Sequence, residues 1–556
     1  MDSTSLLSLP NEILLTIFSL LGRSDALATS STSRRAYPLA ISRVFTNVYW
    51  HRNDEVDEED ASEAHALSRY MCAPEPFSQV PRVQHLRHFT LHHFCDVDVP
   101  PLRKLLSQAS NLRTIVIHNF EFFLDEDALL VEAIGAMHNL EQASLIDVGP
   151  ETVAALPKML SSRYLTSLTL EFDEMYVEPD GIDLSALVSG LASMQSLHTL
   201  ALISYLVLTD PLRLPNAAQT ILPSIRHLSF SRLSQIVPGI ITLCPNIISL
   251  SLQLYSQTDE PVVLPMADED RWPTGLKQLN VVSPALILSA RRIGQVGSLA
   301  FGASSTPISD PGLFNDFLQL LSAVRPTSLE LHTAAAMVDR ECVWDMLCGA
   351  APWLRSLEIG IAPRECDVHE YMEPLLAALR SASLALVHLS LHFPPITRYF
   401  QASLSMAQAD AWRTTEARRA EALRPLPLRL VEAVPTLRVL SLSSCFPRSD
   451  IARALARRTP LAPEVTAELA REDAVERRWG PTSEFVGPAL RRLQVLREEV
   501  PRDKRWWWVE GDGAARAPVE IWREAGERAR ELIGRADFDP ARSLDGFYSA
   551  KCRYER

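Results

Sequence analysis

The chain has 556 residues, 47% of them apolar, and 54 Lys and Arg against 68 Asp and Glu give a net charge of −14. That is ample for a sizeable core, and one repeat array can use a length of this order as a single body. The acidic balance argues against sequence-independent binding of DNA or RNA, which needs a basic surface. Eight cysteines (Cys72, Cys95, Cys244, Cys342, Cys348, Cys366, Cys445 and Cys552) are scattered without a CxxC pair. They read as reduced thiols of a cytoplasmic or nuclear protein, not as a disulfide framework.

The apolar run Ile13 to Leu21 is too short to span a bilayer and lacks the positive flank of a signal peptide, so no membrane partner is expected. Instead, Leu6 to Trp50 reads as three short helices. Pro10 suits a first helical turn and Glu12 the positive end of a helix dipole. Ile13, Leu14, Ile17, Phe18, Leu20 and Leu21 fall at helical spacings. Gly22 ends that helix, Ser24 or Asp25 can cap the next, and Pro38 can open a third. Periodicity alone also allows a cap packed on the rest of the chain. Leu9-Pro10-Asn11-Glu12-Ile13, Ile17-Phe18, Leu20-Leu21, Asp25 and Leu27 together resemble the F-box motif. The resemblance implies docking onto a Skp-type adaptor, and through it a cullin, by Leu9, Pro10, Ile13, Ile17, Phe18, Leu20, Leu21 and Leu27. The second half departs from the family, with Trp50 its only tryptophan. Asp54 to Asp60, a run of acids, reads as a solvated linker.

Beyond it, apolar-x-x-apolar-x-apolar recurs, as in Leu86-Phe89-Leu91, Leu112-Ile115-Ile117, Leu165-Leu168-Leu170, Leu354-Leu357-Ile359 and Leu437-Leu440-Leu442. From Leu86 to Leu386 the steps average about 27 residues. The last apolar-x-apolar alternates as a strand does, and helical stripes lie between, such as Leu184, Leu187, Val188 and Leu191. Strand plus helix makes one coil, and coils must stack to bury their faces. The pattern resembles the leucine-rich-repeat family over about Arg82 to Cys445. It lacks the family's Asn or Cys three residues after the last leucine, except at Cys445.

The strand residue between the last two apolar positions is mostly small and polar: Thr90, Ser144, Thr169, Ser229, Ser251, Ser390 and Ser441, with Glu330 and Glu358 late. This is the expected solvated binding face for a protein substrate. The residue after the first apolar position is often basic: Arg87, Arg113, Arg226, Lys277, Arg355 and Arg438. Aligned by stacking, these would hold an acidic or phosphorylated segment of that substrate, unless they merely cover strand edges.

Asp410 to Leu423 reads as an exposed helix, Leu490-Leu493-Val495 as a further repeat or a helix, and Glu520 to Ile533 as an amphipathic helix. Trp506-Trp507-Trp508 beside Lys504 and Arg505 suits a terminal cap better than a stacking platform. No GxSxG elbow, P-loop, HExxH or dinucleotide fingerprint occurs, His92-His93 alternate across a strand, and Cys366 with His369 lacks further ligands. No enzyme, metal or cofactor is expected. The expected fold class is α/β: a three-helix F-box at 1–50, an acidic linker at 51–81, an irregular leucine-rich-repeat solenoid with a curved parallel sheet at 82–445, and a C-terminal repeat or capping region at 446–556. The function expected is substrate recognition in a Skp-cullin-F-box ubiquitin ligase, or alternatively an interaction scaffold without that role.

Overall fold

Pro10 sets the first helix. Extended at φ −55°, ψ 147°, it stands at the N-cap of α1 (Asn11–Ser19), where its missing N–H costs no helical bond. Two more helices follow, α2 (Arg23–Thr32) and α3 (Ala36–Phe45). Gly22, not Ser24 or Asp25, occupies the α2 N-cap, and α3 opens two residues before Pro38, where the Ser33 hydroxyl accepts the Ala36 N–H at 3.1 Å. Leu14 and Phe18 of α1 pack on Ala36 and Ala40 of α3, with Leu7, Leu9, Ile17, Leu21 and Leu39 around them. The computed structural model describes residues 6–51, 59–75, 81–92, 99–173, 184–204, 221–231, 237–253, 273, 275–282, 294–302, 311–334, 342–362, 368–382, 384–393, 421–443, 504–540 and 542–553. These fall in two units, Met1–Gly275 and Leu276–Arg556.

In the first unit, α3 leads straight into a strand, β1 (Asn47–His51), which pairs in parallel with β2 (His88–His92). Part of the expected linker is structured: α4 (Glu59–Cys72) buries Ser68 and Met71, and a 3-10 turn at Arg82–His85 follows. Residues 52–58, with most of the acidic run, lie outside the described residues. The parallel ladder continues through β3 (Thr114–Ile117), β4 (Gln142–Val148), β5 (Ser167–Phe172), β6 (Thr199–Ser204), β7 (His227–Ser231) and β8 (Ser249–Gln253). Between strands stand α5 (Val99–Gln108), α6 (Phe120–Glu126), α7 (Leu130–Gly135), α8 (Pro150–Met159), α9 (Leu184–Ser193) and α10 (Val237–Leu243). Period-2 alternation puts Phe89, Ile115, Ala143, Leu168, Leu200, Leu228 and Leu250 in one buried column.

The second unit repeats this logic. Its parallel strands are β9 (Gln278–Val281), β10 (Ser298–Phe301), β11 (Ser328–Ala334), β12 (Ser356–Ala362), β13 (His388–His392) and β14 (Val439–Ser443). Helices α11 (Pro311–Val324), α12 (Cys342–Ala350), α13 (Val368–Ser381) and α14 (Leu426–Ala433) cover one side. The Phe301 and Phe317 rings stack at 4.4 Å where α11 meets β10. The parallel order then ends. Strand β15 (Arg505–Glu510) pairs antiparallel with β14, β16 (Ala517–Ile521) antiparallel with β15, and α15 (Arg523–Ile533) follows. Glu520 and Ile521, expected in a helix, are therefore strand residues. The expected Leu490-Leu493-Val495 repeat, and Asp410 to Leu423 up to residue 420, lie outside the described residues.

A different polar ladder stands in for the missing Asn or Cys. Asparagines one residue before the first apolar position of a repeat donate back to the previous coil: Asn111 to the Gln84 carbonyl at 2.9 Å, Asn139 to Ser110 at 3.0 Å, and Asn246 to Pro223 at 2.9 Å. Each satisfies a carbonyl that the bend between helix and strand leaves without a backbone partner.

Candidate interaction surfaces

On α1 the apolar residues divide between two faces. Leu14 and Phe18, one helical turn apart, point into the module core, and Phe18 is only 2% exposed. Pro10, Ile13, Ile17 and Leu20 run along the other flank at spacings three and four. Ile13 is 49% exposed and Leu20 82%, Pro10 is open and Ile17 half-buried. Leu27 on α2 is also exposed, whereas Leu9 and Leu21 are half-buried against the core. Phe18, which the resemblance assigns to the adaptor contact, is buried in the module core, because the motif alone does not separate two apolar faces of one helix. Arg35 donates to the Leu9 carbonyl and Arg43 to the Leu21 carbonyl, each at 3.1 Å, and the two fix the chain at either end of α1.

The outward strand positions of the first unit form one row. Tyr49, Thr90, Val116, Ser144, Thr169, Ala201, Ser229 and Ser251 are successive partners in register. None is charged, and Tyr49 at the start is well exposed. Beside them the rings of His92 and His118 lie 4.4 Å apart.

The basic positions are equivalent in the backbone. Carbonyls of Arg87, Arg113, Arg226 and Arg355 each accept two successive N–H groups of the next coil. Their side chains do not form one stripe. Arg87 and Arg226 reach the Asn111 and Asn246 carbonyls of the following coil, at 2.8 and 3.4 Å. Arg113 pairs with Glu141 at 3.3 Å, an exposed contact of small energetic weight. In the second unit, Lys277 is exposed, Arg355 donates to the Phe538 carbonyl at 3.1 Å, and Arg438 lies 3.4 Å from Asp512. Arg87, Arg113 and Arg226 thus reach the following coil, as long side chains over strand edges do, whereas Arg355 and Arg438 reach the C-terminal segment.

The outward row of the second unit is Asn280, Ala300, Glu330, Glu358, Ser390 and Ser441. Its far end is not solvated. Ser390 and Ser441, expected in water, are buried, and the Ser441 hydroxyl donates to that of Ser390 at 2.8 Å. Trp506, Trp508, Ile521, Ala525, Ala529, Ile533 and Phe538 lie over this face and share a core with Val387 and Val439. Trp507 pairs with Leu440 and so faces the repeat interior. The tryptophan run thus closes the end of the stack and covers its outward face at once. All three indoles are buried, which removes them as a base-stacking platform.

Burial changes the chemistry beneath this cover. His388 is fully buried. Its Nδ1 meets the Ser356 hydroxyl at 2.8 Å, and its Nε2 has no partner among the described residues. Burial, with Lys504 and Arg530 nearby, pulls its pKa down to about 3. Glu358 holds Arg530 at 3.0 Å and Lys504 at 3.9 Å. A hydrogen bond from His332 holds Glu330 below the usual carboxylate range.

Among the described residues no group of three His, Cys, Asp or Glu could hold a metal, and no helix is long and apolar enough to cross a membrane. His93 and Cys366 lie outside the described residues. Glu121 is a buried carboxylate that no sequence motif marks. Glu121 accepts N–H groups of Gly149, Glu151 and Thr152 at 2.8, 2.7 and 3.1 Å, capping α8 from the neighbouring coil. Gly149-Pro150 ahead of an apolar stripe signals that helix start, but nothing local names its partner 28 residues earlier.

Residues 6–49 match the F-box-like family model. Two solved structures of similar chains are a leucine-rich repeat-containing protein, LegL7, from Legionella pneumophila and an internalin from Listeria monocytogenes. The first is 14% identical with TM-score 0.30, covering 51% of this chain and 92% of its own. The second is 14% identical with TM-score 0.25, covering 69% and 98%. No curated protein matches the chain. The chain thus carries an F-box-like domain at residues 6–49, followed by stacked strand-and-helix coils.

Proposed function

We propose that this chain is the substrate-recognition subunit of a Skp-cullin-F-box ubiquitin ligase. The F-box-like domain docks a Skp-type adaptor, and the repeats hold a protein substrate. The observation that carries this reading is the exposed stripe of Pro10, Ile13 and Leu20 on α1, with Leu27 exposed on α2, on a domain that matches the F-box-like model. Apolar residues grouped on one small helical face lose water only against a partner. Catalysis then consists of proximity: the receptor raises the local concentration of a substrate lysine near a conjugating enzyme. The working compartment is the cytoplasm or nucleus, where such ligases act. Co-purification of the full chain with a Skp-type adaptor tests the proposal. A complex of one adaptor per chain is expected; no complex at micromolar concentrations would leave an interaction scaffold as the better reading.

A further inference from the structure

Two stretches of sheet carry the same outward pattern with opposite exposure. Across β6–β8, Thr199, His227 and Ser249 are register partners, and two residues on so are Ala201, Ser229 and Ser251. Across β12–β14 the same places hold Ser356, His388 and Val439, then Glu358, Ser390 and Ser441. His227-Leu228-Ser229-Phe230 and His388-Leu389-Ser390-Leu391 differ only in the last residue. Yet His388, Ser390 and Ser441 are buried, whereas His227 is exposed and Ser229 and Ser251 are half-buried.

The difference is the cover. Trp506 is the register partner of Ser441, stacks on the His388 ring at 5.7 Å and is backed by Gly526 of α15. Beneath it the polar groups satisfy one another, His388 Nε2 excepted: the Ser441 hydroxyl donates to that of Ser390, and the Ser356 hydroxyl meets His388 Nδ1, each at 2.8 Å. A polar face that pairs internally loses little on drying, and an indole supplies the apolar area that drives it. His227 beside Thr199, and Ser229 beside Ser251, set the same imidazole and hydroxyl groups in the same register. The charge differs. Glu358 is answered by Arg530 at 3.0 Å and Lys504 at 3.9 Å, but Ala201 takes its place on β6.

We propose that the outward face of β6–β8 is an open counterpart of the covered site and takes a tryptophan side chain from an uncharged segment of the protein substrate. The indole lies over His227, between the Thr199 and Ser251 strands, as Trp506 lies over His388. Ala201 offers no carboxylate to a basic residue beside the indole, which sets this segment apart from the chain's own Lys504-Arg505-Trp506. The inference rests on the reading that the repeats hold a substrate; its test involves no adaptor.

A random peptide library displayed on phage, panned on the full chain, supplies the probes. Recovered peptides should share a tryptophan flanked by uncharged residues. Labelled with a fluorophore and titrated, they should bind the Ser229→Glu, Ser251→Glu double variant about tenfold more weakly, because the indole would then bury charge. Tryptophan-to-alanine replacement in the peptide, which needs no altered chain, should weaken binding by a similar factor, about tenfold. Thr90→Glu, in the same row but outside β6–β8, should leave binding unchanged. No enrichment, recovered peptides without tryptophan, or equal binding by the wild type and the double variant overturns the proposal. A chain that takes these peptides but captures no adaptor keeps this inference and loses the ligase reading.

Discussion

The Arg82 guanidinium joins the F-box-like helices to the first repeats: its Nε donates to the Tyr37 hydroxyl on α3 at 3.3 Å, and it lies 4.1 Å over the Tyr70 ring on α4. Its Nη1 also donates to the carbonyls of Tyr70 and Ala73, at 3.2 and 3.4 Å. Only 5% of Arg82 is exposed, so these bonds are made in a poorly hydrated place. With α3 running directly into β1, the helices and the sheet of this unit are braced at two points. A receptor that works by proximity needs such a brace, because a loose joint would dilute the substrate's local concentration.

Replacing Arg82 with Met leaves the packing volume but strands the Tyr70 and Ala73 carbonyls. The expected loss is about 3 kcal/mol of stability in the first unit, since bonds from a charged donor are each worth roughly 1.5–3 kcal/mol. Tyr37→Phe removes one hydroxyl and should cost about 1 kcal/mol. Urea unfolding followed by far-UV circular dichroism measures both. An Arg82→Met chain as stable as the wild type would show that α3 and β1 alone hold the joint.

The two faces of α1 should separate cleanly. Ile13→Asp with Leu20→Asp places charge on the exposed stripe and should abolish adaptor capture while the melting temperature stays within about a degree, because surface changes cost little. Phe18→Ala opens a cavity between α1 and α3 and should cost the module about 3–5 kcal/mol. An aspartate at Phe18 would therefore report folding, not docking. Pull-down and thermal melting on the same samples distinguish the two. Adaptor capture that survives the Ile13 and Leu20 changes would move the docking face elsewhere.

Glu121 and Gly149 should behave as a pair. The carboxylate caps three N–H groups of α8, and a Cβ on Gly149 would come within 2.6 Å of it. Glu121→Ala leaves those donors buried and should cost about 3 kcal/mol. Gly149→Ala should cost a comparable amount by pushing the carboxylate out, and the double change should cost clearly less than the sum. Strict additivity in denaturant unfolding would mean that the two residues act separately.

The inward columns were legible because they need only period-2 alternation and a step near 27 residues, and Phe89, Leu168 and Leu357 stand where that pattern puts them. The F-box resemblance marked the right helices but not which face of α1 is free. Three things were not legible, each for a physical reason. Alternation says that Ser390 and Ser441 point out of the repeat, not whether distant chain lies over them, and α15 is more than 80 residues further on. The basic positions aligned in the backbone, but the destination of a long arginine depends on carbonyls of the next coil, as at Arg87 and Asn111. The polar ladder stands at the residue before the first apolar position, at Asn111, Asn139 and Asn246, and not after the last one, where the family pattern puts it.

Acid should loosen the second unit through His388. In the folded chain its pKa is about 3, against about 6.5 for a free histidine. The folded state therefore holds it neutral while the unfolded state takes up a proton as pH drops below about 6.5. Stability from this group is complete above about 6.5 and is lost progressively down to about 3, with a limiting slope of about 1.4 kcal/mol per pH unit. Lys504 and Arg530 face His388 and oppose its protonation in place, Ser356 occupies Nδ1, and Trp506 stacks on the ring at 5.7 Å. Among the described residues no carboxylate hydrogen-bonds the ring to offset a charge there. Glu330, also held in its charged form, loses stability as pH falls through the carboxylate range, below the window between pH 6.5 and 5. His388→Gln keeps a polar group for Ser356 but cannot titrate. Urea unfolding of the second unit at pH 7, 6 and 5 should show the wild type losing more than 1 kcal/mol and the variant keeping most of it, by the same linkage. Parallel losses in both chains would place the acid response on other groups and leave His388 a packing residue.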